Sequence, residues 1–294
     1  MRARDRLLLM LSTILSTLLV ISCVVAYVLG VEVSYWRIVT ILGDEVFYVG
    51  VLPLIYHGID RVLGIELMVL ISTTVWLGGT LKNVLKLPRP PRAQWLVEAS
   101  GYAFPSGHAL GSTTFWGYVA LRCRSLVPLA IVLISLISYS RIVLRVHYLR
   151  DVVGGVAIGA TVLILATVLK KFIERQVEIR KLVITLLSAL ILLTISYILG
   201  TLDNIAYTAT GVLIGGATGH ILLQKTVNTR KLSNVERITG SVLGLLVGYI
   251  GYKLSNYLPE NYLLLPHYTA VTFTMIYGVG YVASKLTKYL EISR

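Results

Sequence analysis

Residues 7–30 read LLLMLSTILSTLLVISCVVAYVLG, a long run without a single charged side chain. A helix needs about 20 mostly apolar residues to cross a bilayer. The run also exceeds the roughly 7–15-residue apolar core of a secretory signal, and no clear small-x-small cleavage site follows it. We therefore expect an uncleaved membrane-spanning helix here, which sets the fold class of the chain.

The rest of the chain has the same character. Of its 294 residues, 56% are hydrophobic and 14% are charged, whereas soluble proteins carry about 25% charged residues. The net charge of +13 could suggest a nucleic-acid partner, but no basic stretch accompanies a soluble nucleic-acid-binding domain. Composition therefore indicates a polytopic membrane protein that does not bind nucleic acid. The two cysteines, Cys23 and Cys123, are not expected to form a disulfide.

Ten apolar segments are candidate spans. They are residues 7–30, 46–59, 64–82, 107–121, 126–142, 149–169, 182–200, 205–223, 238–255 and 266–284, of which the second is short. We expect an all-α fold, a polytopic helical membrane bundle. A six-span domain would occupy residues 1–175, and about four further spans of unknown role would occupy residues 176–294. The basic stretch at residues 170–181 would link them.

The orientation of these spans follows from their flanking charges, because Lys and Arg accumulate on the cytoplasmic side. With ten spans and an inside N-terminus, 18 of the 27 Lys and Arg residues fall in predicted cytoplasmic segments. Seven of the other nine lie in or beside three polar clusters. We expect both termini to be cytoplasmic, the membrane to be the plasma membrane, and the clusters to lie on its extracytoplasmic side.

The first polar cluster is Lys82-x6-Arg89-Pro90, at the end of the third span and in the loop after it. Pro88, Pro90 and Pro91 stiffen this loop by fixing φ and removing N–H donors. A lysine supplies a point charge, and an arginine supplies a planar fork that can bind two phosphate oxygens. Taken alone, the cluster could also be a set of basic anchors at the lipid headgroups.

The second cluster is Pro105-Ser106-Gly107-His108, just before the fourth span. Ser106 is a good helix N-cap, and Gly107 lets a backbone N–H approach an anion. Helix N-termini favour phosphate through their free N–H groups and the helix dipole. His108 at this position could donate a proton to a leaving oxygen. The alternative is an ordinary capped helix start with a histidine at the membrane interface.

The third cluster is Ser140-Arg141-x5-His147-x3-Asp151, between the fifth and sixth spans. The i, i+4 spacing of His147 and Asp151 lets their side chains meet on a helix. A carboxylate bonded to one imidazole nitrogen fixes the tautomer and leaves the other nitrogen as a nucleophile. The pair could instead bind a metal, although a metal needs more ligands and the nearby cations would repel it. Asp151 could also simply pair with a neighbouring arginine.

In order and spacing, the three clusters together resemble the signature of the type 2 phosphatidic acid phosphatase superfamily, over about residues 1–175. Residues 101–104 and 43–45 resemble that family more weakly. The resemblance implies a phosphohistidine mechanism with no metal and no other cofactor. It implies that His147 attacks phosphorus, that Asp151 orients His147, and that His108 protonates the leaving group and then activates water. It also implies that the phosphate oxygens are held by Lys82, Arg89, Ser106, the Gly107 N–H and Arg141.

The expected activity is therefore a metal-independent phosphatase acting on a lipid phosphate or diphosphate, which enters sideways from the bilayer at the outer face. Polyprenyl diphosphate is the first substrate expected, on the basis of what family members of this size do. Phosphatidate, phosphatidylglycerophosphate and sphingoid phosphates are the alternatives.

Two other classes of function stay open at this stage. Vanadate-dependent haloperoxidases resemble the same motif set, but those relatives are soluble, and ten spans argue against this class. A lipid transporter or scaffold could use the C-terminal spans and only capture headgroups at the polar clusters. The intact set of His108, His147 and Asp151 argues against it, since binding alone needs no nucleophile with an orienting acid.

Two C-terminal spans carry glycine at every fourth residue, which lets helix backbones approach closely. The first stripe is Gly211, Gly215 and Gly219, and the second is Gly240, Gly244 and Gly248. One loop joins these spans, so we expect the two stripes to pack against each other. Three histidines outside the clusters are expected to serve helix packing or the interface; they are His57, His220 and His267.

Overall fold

The computed structural model of the protein describes residues 3–173, 175–176, 178–227 and 232–292. Within these ranges the regular structure is helical, without strands, so the all-α prediction is confirmed. The α-helices are α1 (Ala3–Val28), α2 (Glu32–Ile41), α3 (Glu45–Pro53), α4 (Arg61–Leu85), α5 (Gly107–Arg122), α6 (Val127–Val143), α7 (Leu149–Ile173), α8 (Glu178–Ile198), α9 (Asn204–Thr226), α10 (Asn234–Ser255), α11 (Leu264–Phe273) and α12 (Val279–Ile292). Two π-helical segments, Leu54–Ile59 and Thr274–Gly278, continue α3 and α11.

Seven helical segments among the described residues are long and apolar enough to cross a membrane. They are Ala3–Val28, Arg61–Leu85, Arg124–Val143, Leu149–Ile173, Ile179–Ile198, Asn204–Thr226 and Asn234–Ser255. The pair Glu32–Ile41 and Glu45–Ile59 counts as an eighth if it is taken as one bent span.

All ten expected segments are helical, and seven or eight of them meet this criterion. The segment at 107–121 forms α5, which has 16 residues. At about 1.5 Å per residue, α5 is shorter than the roughly 30 Å hydrocarbon core. The segment at 266–284 is divided between α11, a π-helical turn and α12.

The described chain packs into two compact units. Unit 1 comprises residues 1–44 and 77–169, and unit 2 comprises residues 45–76 and 170–294. The division at residue 169 falls close to the predicted linker. Packing places residues 45–76 with the C-terminal helices, whereas the predicted domain of residues 1–175 includes them. The division into domains 1–175 and 176–294 stays a prediction.

In unit 1, α2 packs on α6 and forms the apolar core beside the third polar cluster. Trp36 and Val39 of α2 contact Leu133 and Ile137 of α6 in this core. Close packing of these large side chains fixes the position of α2, because van der Waals contact holds helices together in a bilayer.

The C-terminus of α6 turns the chain sharply toward His147. The Val146 N–H donates to the Arg141 carbonyl at 3.2 Å, and the Arg145 N–H donates to the Ile142 carbonyl at 2.9 Å. These two bonds form a Schellman motif, whose left-handed residue is usually glycine. Here it is Arg145, with φ of 58°. The motif holds His147 directly after the buried Val146.

In unit 2 the glycine stripes pack differently from the prediction. The Gly211 stripe lies against α11, where a Cβ on Gly215 would come within 2.3 Å of the Thr269 carbonyl oxygen. The Gly240 stripe lies against α3 and its π-helical continuation, where a Cβ on Gly240 would come within 2.9 Å of the His57 Cβ. The expectation that the stripes contact each other was wrong. A face of small residues can pack against any helix, and a short connecting loop does not determine which helix that is. His57 serves helix packing, with Nε2 2.9 Å from the Met275 carbonyl oxygen.

Candidate active site

The N-terminus of α5 presents the second polar cluster. Ser106 is fully buried and caps the helix, accepting from the Ala109 N–H at 3.5 Å. Its own N–H donates to the Asp151 carbonyl oxygen at 2.9 Å, which joins the start of α5 to the start of α7. A Cβ added to Gly107 would meet no atom within 4 Å. There is therefore open space over the first N–H groups of α5, where an anion is favoured.

His108 follows in the first turn of α5. Its Nε2 is buried and has no hydrogen-bond partner among the described residues. Buried polar atoms in proteins are nearly always hydrogen-bonded, and exceptions call for an explanation such as a catalytic role. A substrate oxygen would supply this partner.

The start of α7 brings His147 and Asp151 together, as the i, i+4 spacing predicts. His147 Nδ1 lies 3.5 Å from Asp151 Oδ2, and both side chains are almost completely buried. The same Asp151 oxygen accepts from the Tyr148 backbone N–H at 2.8 Å, which fixes the carboxylate. Hydrogen bonds between catalytic groups are often long without substrate and tighten in its complex.

Arg89 determines which nitrogen of His147 carries the proton. Its Nη1 lies 2.9 Å from His147 Nε2. Because an arginine can only donate, Nε2 must be the acceptor, and the proton of the neutral imidazole is on Nδ1, facing Asp151. Nε2 therefore keeps a lone pair, which is what a nucleophile requires.

The electrostatic surroundings also favour neutral His147. Burial lowers its pKa to about 4, partly opposed by the nearby Asp151 carboxylate and reinforced by the charges of Arg89, Lys82 and Arg141. Desolvation and nearby cations both disfavour an imidazolium. At neutral pH the ring is thus unprotonated at Nε2.

Arg89 is also held by the backbone around it. Its Nε donates to the Gly101 carbonyl oxygen at 3.0 Å, Nη2 to that of Ser100 at 2.7 Å, and Nη1 to that of Val146 at 2.8 Å. One side chain therefore ties the loop before α5 to the residue preceding His147. Sequence reasoning predicted its charge but not this structural role.

Lys82 lies in the last turn of α4 and points to the same loop. Its Nζ donates to the Tyr102 carbonyl oxygen at 2.7 Å, and the Ala103 carbonyl oxygen lies 3.4 Å away. An ammonium has three donors, so these contacts orient Lys82 and leave donor capacity for a phosphate oxygen.

Arg141 completes the set of cations, in the last turn of α6. It is only 5% exposed, and its Nη1 donates to Thr40 Oγ1 at 2.6 Å. Its Nε is buried and has no partner among the described residues. Thr40 was not among the predicted site residues, because a single threonine in an apolar helix about 100 residues away gives no sequence signal.

All eight predicted site residues lie in unit 1. The charges of Lys82, Arg89 and Arg141 act on both His108 and His147. The site thus brings together a histidine–carboxylate pair, a second histidine, three cations and a helix N-terminus. No group of three or more His, Cys, Asp or Glu side chains is arranged to hold a metal within the described ranges. The predicted metal independence stays a prediction.

Residues 63–175 match the family described as the PAP2 superfamily. The chain therefore contains a PAP2 superfamily domain. This segment holds all eight predicted site residues.

Three similar proteins illustrate the relationship. Sphingosine-1-phosphate phosphatase 2 from Homo sapiens is 32% identical over 145 residues, which is 45% of this chain and 36% of that protein. Phosphatidylglycerophosphatase B from Bacillus subtilis (strain 168) is 27% identical over 169 residues, 52% of this chain and 74% of that protein. A crystal structure described as the first transmembrane PAP2 type phosphatidylglycerolphosphate phosphatase from Bacillus subtilis has a TM-score of 0.41 at 23% identity, covering 49% of this chain and 78% of that one.

The chain spans 36%, 40% and 52% of the lengths of the first curated relatives that it matches. The comparisons give no specific support for polyprenyl diphosphate, the substrate first expected.

Proposed function

We propose that this protein is an integral membrane phosphatase that hydrolyses a lipid phosphomonoester through a phosphohistidine at His147. The observation that carries the proposal is the state of the His147 ring: Nδ1 faces Asp151, and Nε2 accepts from Arg89. A phosphate oxygen would compete with Nε2 for the Arg89 N–H. As Arg89 turns to this oxygen, the lone pair of Nε2 becomes free and phosphorus can approach it.

The proposed first step transfers the phosphoryl group to His147. Nε2 forms a bond to phosphorus as the bond from phosphorus to the lipid oxygen breaks, and protonated His108 gives its proton to that oxygen. Lys82, Arg89 and Arg141 place positive charge around His108. A bound phosphate dianion would neutralise part of that charge, so substrate binding itself favours the protonated His108 that this step needs.

The second step reverses these roles. His108, now neutral, takes a proton from water, and the water oxygen attacks phosphorus as the bond to Nε2 breaks. Phosphate is released, and both histidines return to their starting protonation states. The cations and the α5 N-terminus stabilise the charge on the phosphoryl oxygens in both steps.

The substrate class follows from the relatives' names. The two curated relatives described above are named for sphingosine-1-phosphate and phosphatidylglycerophosphate, and each of these lipids carries a terminal phosphomonoester. We therefore place long-chain lipid phosphomonoesters before polyprenyl diphosphate, the substrate first expected. The substrate would enter from the bilayer, with the site on the extracytoplasmic side.

The test is phosphate release by detergent-purified protein from a panel of lipid phosphates with EDTA present. The panel holds a sphingoid phosphate, phosphatidylglycerophosphate, phosphatidate and a polyprenyl diphosphate. We expect release from phosphomonoesters that survives EDTA and disappears in His147→Ala and Asp151→Ala. No release from any lipid by folded protein would contradict the proposal and favour a transporter or scaffold.

A further inference from the structure

A short segment of unit 1 outside the PAP2 match contacts the second and third polar clusters and the loop that follows the first. It comprises residues 37–43, the end of α2 and the turn after it, whereas the match begins at residue 63. Three side-chain positions make the contacts, and they are Arg37, Thr40 and Gly43. Each contact involves a different cluster or the loop that carries it.

Thr40 holds the cation of the third cluster. Its hydroxyl oxygen accepts from Arg141 Nη1 at 2.6 Å, and both side chains are buried. This bond holds one end of a guanidinium whose Nε has no partner among the described residues. A phosphate oxygen is the partner that the remaining donors suit. The hydroxyl thus determines which edge of Arg141 is available for substrate.

Gly43 lies directly against the histidine of the second cluster. A Cβ at this position would come within 2.6 Å of Ile137 Cγ2 and 3.0 Å of His108 Cδ2. Ile137 is in the apolar core and is completely buried. A side chain here would therefore press on both Ile137 and the His108 ring, and the ring could not keep its position.

Arg37 binds the loop that carries the first cluster. Its Nε and Nη2 donate to the Leu96 carbonyl oxygen at 3.1 and 2.8 Å. The Leu96 N–H donates in turn to the Leu144 carbonyl oxygen at 3.1 Å, which ties the loop to the end of α6.

We propose that Thr40 and Gly43 are positioning residues of the active site: Thr40 orients Arg141 toward the phosphate oxygens, and Gly43 sets the His108 ring for proton transfer. The inference rests on the proposed phosphatase function. It adds to the PAP2 domain a segment that the match does not include, and it assigns each residue a separate effect.

The test of Thr40 uses Thr40→Val, which has nearly the same shape but no acceptor, with Thr40→Ser as the conservative control. Calorimetry measures orthovanadate binding directly, so the readout does not depend on turnover. We expect Thr40→Val to bind vanadate about 10- to 100-fold more weakly, since a hydrogen bond to a charged group is lost. Thr40→Ser should stay close to the wild type. Equal affinity in all three proteins would overturn the role of Thr40.

The test of Gly43 uses Gly43→Ala and two substrates. Hydrolysis of an alkyl phosphate needs a proton on the leaving oxygen, whereas p-nitrophenyl phosphate releases a stable phenolate without one. We expect the single-turnover rate of His147 phosphorylation by the lipid phosphate to fall about 100-fold, the scale of a misplaced catalytic group. The same rate with p-nitrophenyl phosphate should change little, because only this first step depends on protonation of the leaving group. Gly50→Ala is the control, because a Cβ there meets no atom within 4 Å.

Equal losses on both substrates would show a general structural defect and overturn the role of Gly43. A failure of the positioning roles can be distinguished from a failure of the proposed phosphatase function. Wild-type turnover with unaffected variants would refute the positioning roles alone. If the wild type has no turnover but Thr40→Val still weakens vanadate binding, the phosphatase function would be refuted and the positioning role of Thr40 would stand. A wild type that neither turns over nor binds vanadate would refute both.

Discussion

At the scale of single residues, Arg89 has both a structural and a chemical role in the site. It donates to His147 Nε2 and also to three backbone carbonyl oxygens. A lysine could supply the charge but not the planar fork that makes these contacts together. The residue is therefore needed both for the shape of the loop and for the phosphate.

We expect Arg89→Lys to lower kcat/KM by about 100- to 1000-fold, the usual effect of removing one donor to transition-state charge. Arg92→Lys in the same loop is the control. Arg92 is 78% exposed and pairs with the exposed Glu98 at 3.2 Å, and such surface pairs contribute little. Steady-state kinetics with a lipid phosphate measures both variants. Similar kinetics for the two would show that the fork of Arg89 is dispensable.

The protonation of His147 gives a second prediction at this scale. Since burial lowers its pKa to about 4, its ring should stay neutral at pH 5–6 in histidine-labelled NMR spectra, with His147→Gln identifying the signal. Arg89→Gln should raise the midpoint, because the Arg89 charge lowers it, and Asp151→Asn should lower it further. A wild-type midpoint near 6.5 would contradict this account.

The same shift has a consequence for stability. The ordinary pKa of histidine is about 6.5, so between about pH 6.5 and 4 the unfolded chain binds a proton that the folded protein does not. The contribution of His147 to stability is therefore complete above about pH 6.5 and decreases as the pH falls through this window.

The residues of the site could be predicted from sequence where type and spacing carry the signal. The pair of His147 and Asp151 is the clearest case: their side chains meet as the spacing predicted, although His147 lies in the turn just before α7 and not on the helix. Thr40 could not be predicted in this way. Its role depends on how α2 packs on α6, which no local pattern specifies.

At the scale of helices, the packing of α7 on α5 determines how closely their ends approach. Asp151, Gly155 and Gly159 follow one another at intervals of four and share one face of α7. A Cβ on Gly155 would lie 2.7 Å from the Ser106 carbonyl oxygen, and one on Gly159 would lie 2.8 Å from Thr113 Cβ. The two glycines let the backbones approach until the Ser106 N–H reaches the Asp151 carbonyl oxygen.

Two glycine substitutions should therefore behave in opposite ways. Gly155→Ala should lower the thermal unfolding midpoint and reduce activity, because overpacking typically costs about 1–3 kcal/mol. Gly107→Ala should leave the midpoint unchanged, since there is room for its Cβ, but should raise KM by occupying the space over the α5 N-terminus. Thermal unfolding and kinetics would decide. A Gly155→Ala protein with an unchanged unfolding midpoint and unchanged activity would contradict the described packing.

The helices themselves were largely predictable, because long apolar runs leave few alternatives in a membrane. Their partners were not. The two glycine stripes of unit 2 were expected to contact each other, but one packs on α11 and the other on α3 and its π-helical continuation. The four-residue spacing of Asp151, Gly155 and Gly159 is the same kind of pattern for close helix packing, within the PAP2 domain. Reading on from the third cluster along α7 would have predicted this packing from the sequence.

At the scale of the whole molecule, the distribution of charge predicts the orientation in the membrane. Lys and Arg are concentrated in the predicted cytoplasmic segments, apart from those at the polar clusters. Such a distribution favours a site that faces the extracytoplasmic side.

The native cysteines provide a test of this orientation. Cys123 is a free thiol in the turn between α5 and α6, on the predicted cytoplasmic side. We expect a membrane-impermeant maleimide to modify it in inverted vesicles but not in intact cells. In a Cys123→Ala background, Asn261→Cys should react from outside, because the loop between α10 and α11 is predicted to be external. The reverse pattern would place the site in the cytoplasm.

The central claim, a covalent phosphohistidine at His147, can be tested by trapping it. Protein turning over a radiolabelled lipid phosphate would be quenched in alkali, where a phosphoramidate bond survives, and then digested and mapped. We predict label that is stable in base, labile in acid, located on the peptide containing His147, and absent from His147→Ala. Label on another residue, or turnover with no labelled protein in a rapid quench, would contradict the account.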